Sequence, residues 1–74
     1  MSVQEDNKIN LEICNNLKRA RIKRNLIQSE VAKKAGLNSN YYAKVERGEA
    51  KPSGVTITKI IKALGVKAED ILPV

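Results

Sequence analysis

The sequence predicts an all-α fold, a compact bundle of five short helices. Three observations carry this expectation. Apolar residues recur at three- and four-residue spacing along most of the chain. Gly, Asn and Pro fall between those runs, at the places where helices start and stop. The one β-branched run, VTITKII over residues 55–61, has no second strand to pair with, and its Lys59/Lys62 spacing suits a helix. With 74 residues the chain has room for one domain and one core.

Each element has its own signal. Ile13, Leu17 and Ala20 form the apolar stripe of a first helix, with Asn10 as a candidate N-cap and Asn25 as its left-handed exit. From Gln28, QSEVAKKA puts Val31, Ala32 and Ala35 on one face and Lys33 and Lys34 on the other. Gly36 ends this second helix. Asn38 caps a third, SNYYAKVERG, which stops at Gly48. EAKPSG reads as a loop, with Pro52 a breaker and Ser53 the next N-cap. The fourth helix offers Val55 or Thr56, then Ile57, Ile60, Ile61 and Leu64, to the core and closes at Gly65. AEDIL makes a short fifth helix with acids in its first turn, halted by Pro73.

Composition excludes whole classes of chemistry. The chain has no His, no Trp and no Phe, and its one Cys is Cys14. That removes the commonest general base, His-containing zinc sites, a Cys–His nucleophile pair and an internal disulfide. No enzyme activity, metal, cofactor or small-molecule ligand is expected. A single cysteine suits a reducing, cytoplasmic location. No stretch approaches the roughly 18 apolar residues of a membrane span, and Met1 to Asn10 is too polar for a secretory signal.

The charge points to a polyanion. Fourteen Lys and Arg against eight Asp and Glu leave a net +6. It is concentrated in the middle: residues 1–17 carry −2, residues 18–51 carry +7 and residues 52–74 carry +1. The basic first helix, with Ile13 and Leu17, also fits a membrane-surface helix. Its apolar stripe is needed for the chain's own core, however, and no aromatic residue anchors it.

The informative unit runs from Gln28 to Gly48: two helices joined by a short turn containing Gly, with small residues at the crossing, describe a helix-turn-helix. Ala32 lies where a larger side chain would hold the next helix off, and Val31, Ala35, Leu37 and Val45 fill the angle. Together with LKRARIKRNLIQSEVAKKAGL, YAKVERG, the KPS loop and IIKALGVKAEDIL, the chain resembles the Cro/C1-type (XRE-like) helix-turn-helix family of phage repressors and small bacterial regulators. The resemblance covers nearly all of residues 10–72.

The resemblance implies a bundle of the phage-repressor type over residues 9–74, preceded by a flexible segment of residues 1–8. It implies a regulator that binds double-stranded operator DNA, with the third helix in the major groove and a homodimer on a palindromic site. Base contacts then fall to Asn38, Ser39, Asn40 and Lys44. Asn pairs in bidentate fashion with adenine and Lys donates to guanine, although capping alone also explains Asn38. Phosphate contacts fall to Gln28, Tyr41, Arg47, Lys51 and Ser53, with Lys18 and Arg19 further out. Lys33 and Lys34 read as an ordinary solvated face. In the family, positions matching Arg21 and Glu46 form an ion pair between the first helix and the end of the third. Dimer contacts are expected from Val66, Ala68, Leu72, Pro73 and Val74, with Ile71 facing inward.

Three residues depart from the family pattern. Ile27 stands where Ser or Thr often caps the second helix. Tyr42 replaces an inward aliphatic, so its hydroxyl needs a partner or solvent. Gly54 stands where Leu is frequent, leaving Val55 to take over that packing. An antitoxin-like protein, acting mainly through protein contact with DNA binding as autoregulation, shares the same fold.

Overall fold

The computed structural model describes residues 3–73; Val74, an expected dimer residue, lies outside them. The chain forms four α-helices and one 3₁₀ turn: α1 (Val3–Lys23), α2 (Gln28–Ala35), α3 (Ser39–Glu46), α4 (Gly54–Leu64), then Ala68–Asp70. Among the described residues there is no strand, so VTITKII is helical.

The expected fifth helix is only that 3₁₀ turn. Two of its hydrogen bonds close over three residues, Asp70 to Lys67 and Ile71 to Ala68, a single four-residue bond joins Leu72 to Ala68, and Pro73 follows too soon for another turn. The domain is therefore a four-helix arrangement with a tail. A second correction concerns the start of α1. Asn10 does not cap it, because the helix begins at Val3, where Glu5 and Asp6 in the first turn complement the positive helix end. Residues 3–8, expected to precede the domain, are thus helical. Asn10 instead donates its side-chain amide to the Ala50 carbonyl at 3.0 Å.

The other boundaries follow their local chemistry. Asn25 takes a left-handed φ of 57° after α1. Gly36 ends α2 at φ 70°, where a side chain would be strained. The Asn38 side chain caps α3 by accepting the Asn40 and Tyr41 amides at 2.8 and 3.2 Å. Ser53 caps α4 through the Thr56 amide at 3.2 Å. Ile27 has no side-chain cap to offer, but Glu30 reaches back to accept the Ile27 amide at 3.1 Å. One half of a capping box therefore serves this turn.

The core is built from Cys14 and Leu17 of α1, Val31, Ala32 and Ala35 of α2, Tyr42 and Val45 of α3, Ile60, Ile61 and Leu64 of α4, and Ile71. Each of α1 and α2 packs against both α3 and α4, whereas α3 and α4 scarcely touch. The helices thus occupy four corners, with α3 and α4 on a diagonal. Val55 does not replace the missing Leu, since it points outward at 68% exposure. The apolar floor beneath α4 is met by Ile57 and Ile60 instead.

Leu17 is wholly buried at the centre of this core, whereas Ser53 acts on one helix end. Leu17→Ala is expected to cost about 2–5 kcal/mol and Ser53→Ala about 1 kcal/mol. Urea unfolding midpoints measure both; equal losses would contradict the core assignment.

Candidate nucleic-acid interface

Packing determines which face of α3 is left for a partner. Tyr42, Val45 and Glu46 are buried, and Tyr41 and Ala43 are half-buried. What remains exposed is Ser39, Asn40 and Lys44. Asn40 and Lys44 lie one turn apart and so share a face. Ser39 precedes them at the helix start. Asn38 is exposed too, but its side-chain oxygen is occupied by the two amides that it caps. Only its amide NH₂ is uncommitted to the cap.

The helix is held by its buried end. Arg21 on α1 meets the Glu46 carboxylate with both arms of its fork, Nε to Oε2 at 2.7 Å and Nη2 to Oε1 at 3.0 Å. The third arm of Arg21 donates to the Leu26 carbonyl at 2.8 Å. The Glu46 side chain is 1% exposed and that of Arg21 14%. Burial pushes the Glu46 carboxyl up, but hydrogen bonds from Arg21 and Gln28 outweigh it and hold the group below the usual carboxylate range. The hydrogen bond to Glu46 correspondingly raises Arg21, which stays charged.

Gln28 belongs to this cluster as well. Its side-chain amide donates to Glu46 Oε1 at 2.9 Å, so a residue read as a phosphate contact also braces α2 against α3. Sequence spacing carries no trace of that bond. Tyr42 departs from expectation in another way. Its hydroxyl is buried beside the ion pair but makes no hydrogen bond of good geometry among the described residues. Burial, then the neighbouring Glu46 carboxylate, pushes the phenol far above its ordinary range, so it stays neutral.

Basic and polar groups flank α3. After it, Arg47 is exposed and bonded to Glu49 at 2.6 Å, an exchangeable surface pair. The Arg47 side chain lowers the Glu49 carboxyl through that hydrogen bond. Lys51 and Ser53 are exposed in the loop before α4. This loop is anchored from α1: Asn10 holds the Ala50 carbonyl, Cys14 Sγ lies 4.0 Å from the same oxygen, and Pro52 is buried. Lys18 and Arg19 are exposed on α1. Of the residues expected to form a dimer contact, Val66 and Leu72 are half-buried, Ala68 and Pro73 exposed, and Ile71 fully buried. Asn16 fastens this tail by donating to the Ile71 carbonyl at 2.9 Å. Two further links escaped the sequence reading: this bond, and Arg24 to the Gly65 carbonyl at 2.7 Å. Their only local signals were a side-chain amide within α1, Asn16, and a guanidinium just past its end, Arg24.

Two short crossed helices, a tight Gly turn and a polar row turned outward make this a helix-turn-helix domain. A helix-turn-helix family model matches residues 17–71. An uncharacterized HTH-type transcriptional regulator of Methanocaldococcus jannaschii is 42% identical over 57 residues, covering 77% of this chain and 86% of that protein. An uncharacterized HTH-type transcriptional regulator of Sinorhizobium fredii is 32% identical over 57 residues, covering 77% of this chain and 74% of its own. Among solved structures, the restriction-modification controller protein C.AhdI from Aeromonas hydrophila superposes with a TM-score of 0.79 at 29% identity, over 84% of this chain and 94% of that one. The chain belongs to the helix-turn-helix family of XRE type, a class of DNA-binding transcription regulators.

The contrast between Glu46 and Glu49 tests the brace. Glu46→Ala leaves Arg21 unpaired in a buried site and is expected to cost about 3–5 kcal/mol, whereas an exposed pair is worth about 1 kcal/mol or less. At about 4–8 °C per kcal/mol for a domain of this size, thermal melting separates them clearly. Since the folded carboxyl lies below its unfolded value of about 4.3, its contribution is complete above that pH and is lost as pH falls through the folded pKa. Glu46→Gln is expected to flatten this acid limb. An unchanged limb would remove Glu46 as its source.

Proposed function

We propose that the protein binds a palindromic operator as a homodimer, each copy laying α3 in the major groove. The observation that carries this is the row Ser39, Asn40 and Lys44, exposed on a helix whose orientation the Arg21–Glu46 pair holds. Those side chains match what base edges offer: Asn40 serves adenine N6 and N7, and Lys44 serves guanine O6 and N7. Asn38 contributes through its NH₂, and Ser39 through its hydroxyl. Around them Lys18, Arg19, Gln28, Tyr41, Arg47, Lys51 and Ser53 contact phosphate and set the register without reading sequence. Chemistry independent of the base then supplies affinity, and α3 supplies choice.

One α3 reads only a few base pairs, too little to select a site among genomic competitors. Two copies double the reading, which requires half-sites about one helical turn, roughly 34 Å, apart. The dimer patch is assigned to Val66, Ala68, Leu72, Pro73 and Val74. Val66 and Leu72 keep part of their apolar surface outside the monomer core. No observation favours the antitoxin-like alternative over this reading.

Selection of bound sites from random duplexes tests the whole reading, and enrichment of a two-fold-related sequence is expected. If six to ten phosphates are neutralised, affinity falls roughly a thousandfold or more between about 50 and 200 mM salt. Lys51→Ala is expected to weaken all sequences alike, and Asn40→Ala to cost about 1–3 kcal/mol on the selected site alone. Equal weakening of random DNA by Asn40→Ala would remove its reading role. For the dimer, Leu72→Lys should lower operator affinity and shift sedimentation toward monomer while leaving single half-site binding nearly intact. A wild-type monomer that binds a half-site as tightly as the full operator would overturn the dimer.

A further inference from the structure

Away from α3, four lysines surround one shallow, open depression. Lys33 and Lys34 come from the last turn of α2, and Lys59 and Lys62 from α4. Ala35, Gly36 and Ala63 line it between them. All four lysines are exposed, and the ion pairs of the described residues are Arg21–Glu46, Arg47–Glu49 and Lys67–Glu69. None of the four therefore has a carboxylate to neutralise it. No acid lines the surface, α4 carries no acidic residue, and Glu30 of α2 is turned back to the Ile27 amide.

Like charges three apart on one helix repel, as Lys59 and Lys62 do. A soluble surface normally intersperses both signs, and this one does not. Its position argues against the duplex on α3 as the neutralising group. The groove lies along the α2–α4 edge, and α4 stands on the diagonal from α3, which it scarcely touches. The small apolar floor adds a second requirement. Ala63 keeps part of its methyl surface at this floor, which charged phosphates do not cover, whereas an amphipathic helix carries both acids and an apolar stripe.

We propose that the α2–α4 groove is a docking surface for an acidic amphipathic helix of a partner protein, engaged while α3 occupies DNA. Lys33, Lys34, Lys59 and Lys62 pair with the partner's carboxylates, and half-buried Ala63 receives a small apolar side chain at its centre. The inference rests on α3 being the DNA-facing element. It gives this regulator a second contact, to protein, on a face separate from the first.

The test uses the full chain, labelled with ¹⁵N, and two probes. One is a synthetic peptide of about 14 residues, four turns of helix, with Glu on one face and Leu and Ala on the other. The other is the duplex selected by the protein. The peptide is expected to shift amides of residues 33–37 and 59–64, and the duplex those of residues 38–44. Lys33→Glu combined with Lys62→Glu should weaken the peptide roughly tenfold and, at about 0.15 M salt where distant charges are screened, change duplex affinity far less. The milder pair Lys34→Gln and Lys59→Gln, which reverses no charge, should act in the same direction. Peptide shifts confined to residues 38–44, or charge reversals that weaken the duplex as Lys51→Ala does, would overturn the proposal. A duplex that leaves residues 38–44 unmoved would instead overturn the DNA-facing assignment of α3, whatever the peptide does.

Discussion

The placement of α3 depends on one buried carboxylate. At eight residues the helix is too short to be stable by itself, so its direction must come from tertiary contacts. Glu46 supplies them by meeting Arg21 of α1 and Gln28 of α2 at once. Packing of Val45 and Tyr42 fixes how deep the helix lies. The planar, two-armed pairing with Arg21 adds a constraint on rotation that apolar contact lacks. An apolar pair of similar volume is often the more stable choice in a core. Here rotation is what matters, because turning α3 would swing the shared face of Asn40 and Lys44 away from the outside of the domain.

The same corner accepts a local cost. The Tyr42 hydroxyl is buried beside the pair without a good hydrogen bond, a penalty of about 1–3 kcal/mol. Burying a side chain of this size removes about 150–250 Å² from water, worth roughly 4–6 kcal/mol at about 25 cal/mol per Å². Even with that gain taken as an upper bound, ring burial outweighs the unsatisfied oxygen. Tyr42 is thus tolerated where an aliphatic residue is the family habit, and it fills the space that sets the height of α3 above the core.

The legible parts of the fold are those encoded by one residue at one place. Gly36, Gly65, Asn38 and Ser53 each mark a helix end through their own backbone or side chain, and all four act as read. The misread parts depend on partners distant in sequence. Asn10 has the chemistry of a cap and equally that of a donor, and its true acceptor, Ala50, lies 40 residues away. Val55 fits a helical stripe on paper, but the core beneath α4 is already filled by neighbours. AEDIL has helical composition and too little length before Pro73. At the site, the row on α3 came from family resemblance, with helical spacing adding only Lys44 one turn beyond Asn40. The Arg21–Glu46 pair came from family resemblance, since 25 residues separate its members. The second role of Gln28 was hidden for the same reason, its phosphate reading being complete without Glu46.

Charge shows why the middle of this chain needs a partner outside itself. From α2 onward its five acids have partners within the chain: Glu46 with Arg21, Glu49 with Arg47, Glu69 with Lys67, and Glu30 and Asp70 with backbone amides at turns. Each of these is spent on holding a helix end or a neighbouring side chain. The four lysines facing outward from α2 and α4 have no carboxylate in ion-pair contact among the described residues. Lys33 and Lys34 read as a solvated face when α2 is taken alone, and only the folded chain brings Lys59 and Lys62 beside them. Repulsion among such groups is relieved by salt or by an external polyanion, and relief by a polyanion is greatest where several cations converge on one surface. Two surfaces meet that condition, one around α3 and one between α2 and α4, with α2 common to both. Placing α3 and α4 on a diagonal lets one small core present each of them without either blocking the other.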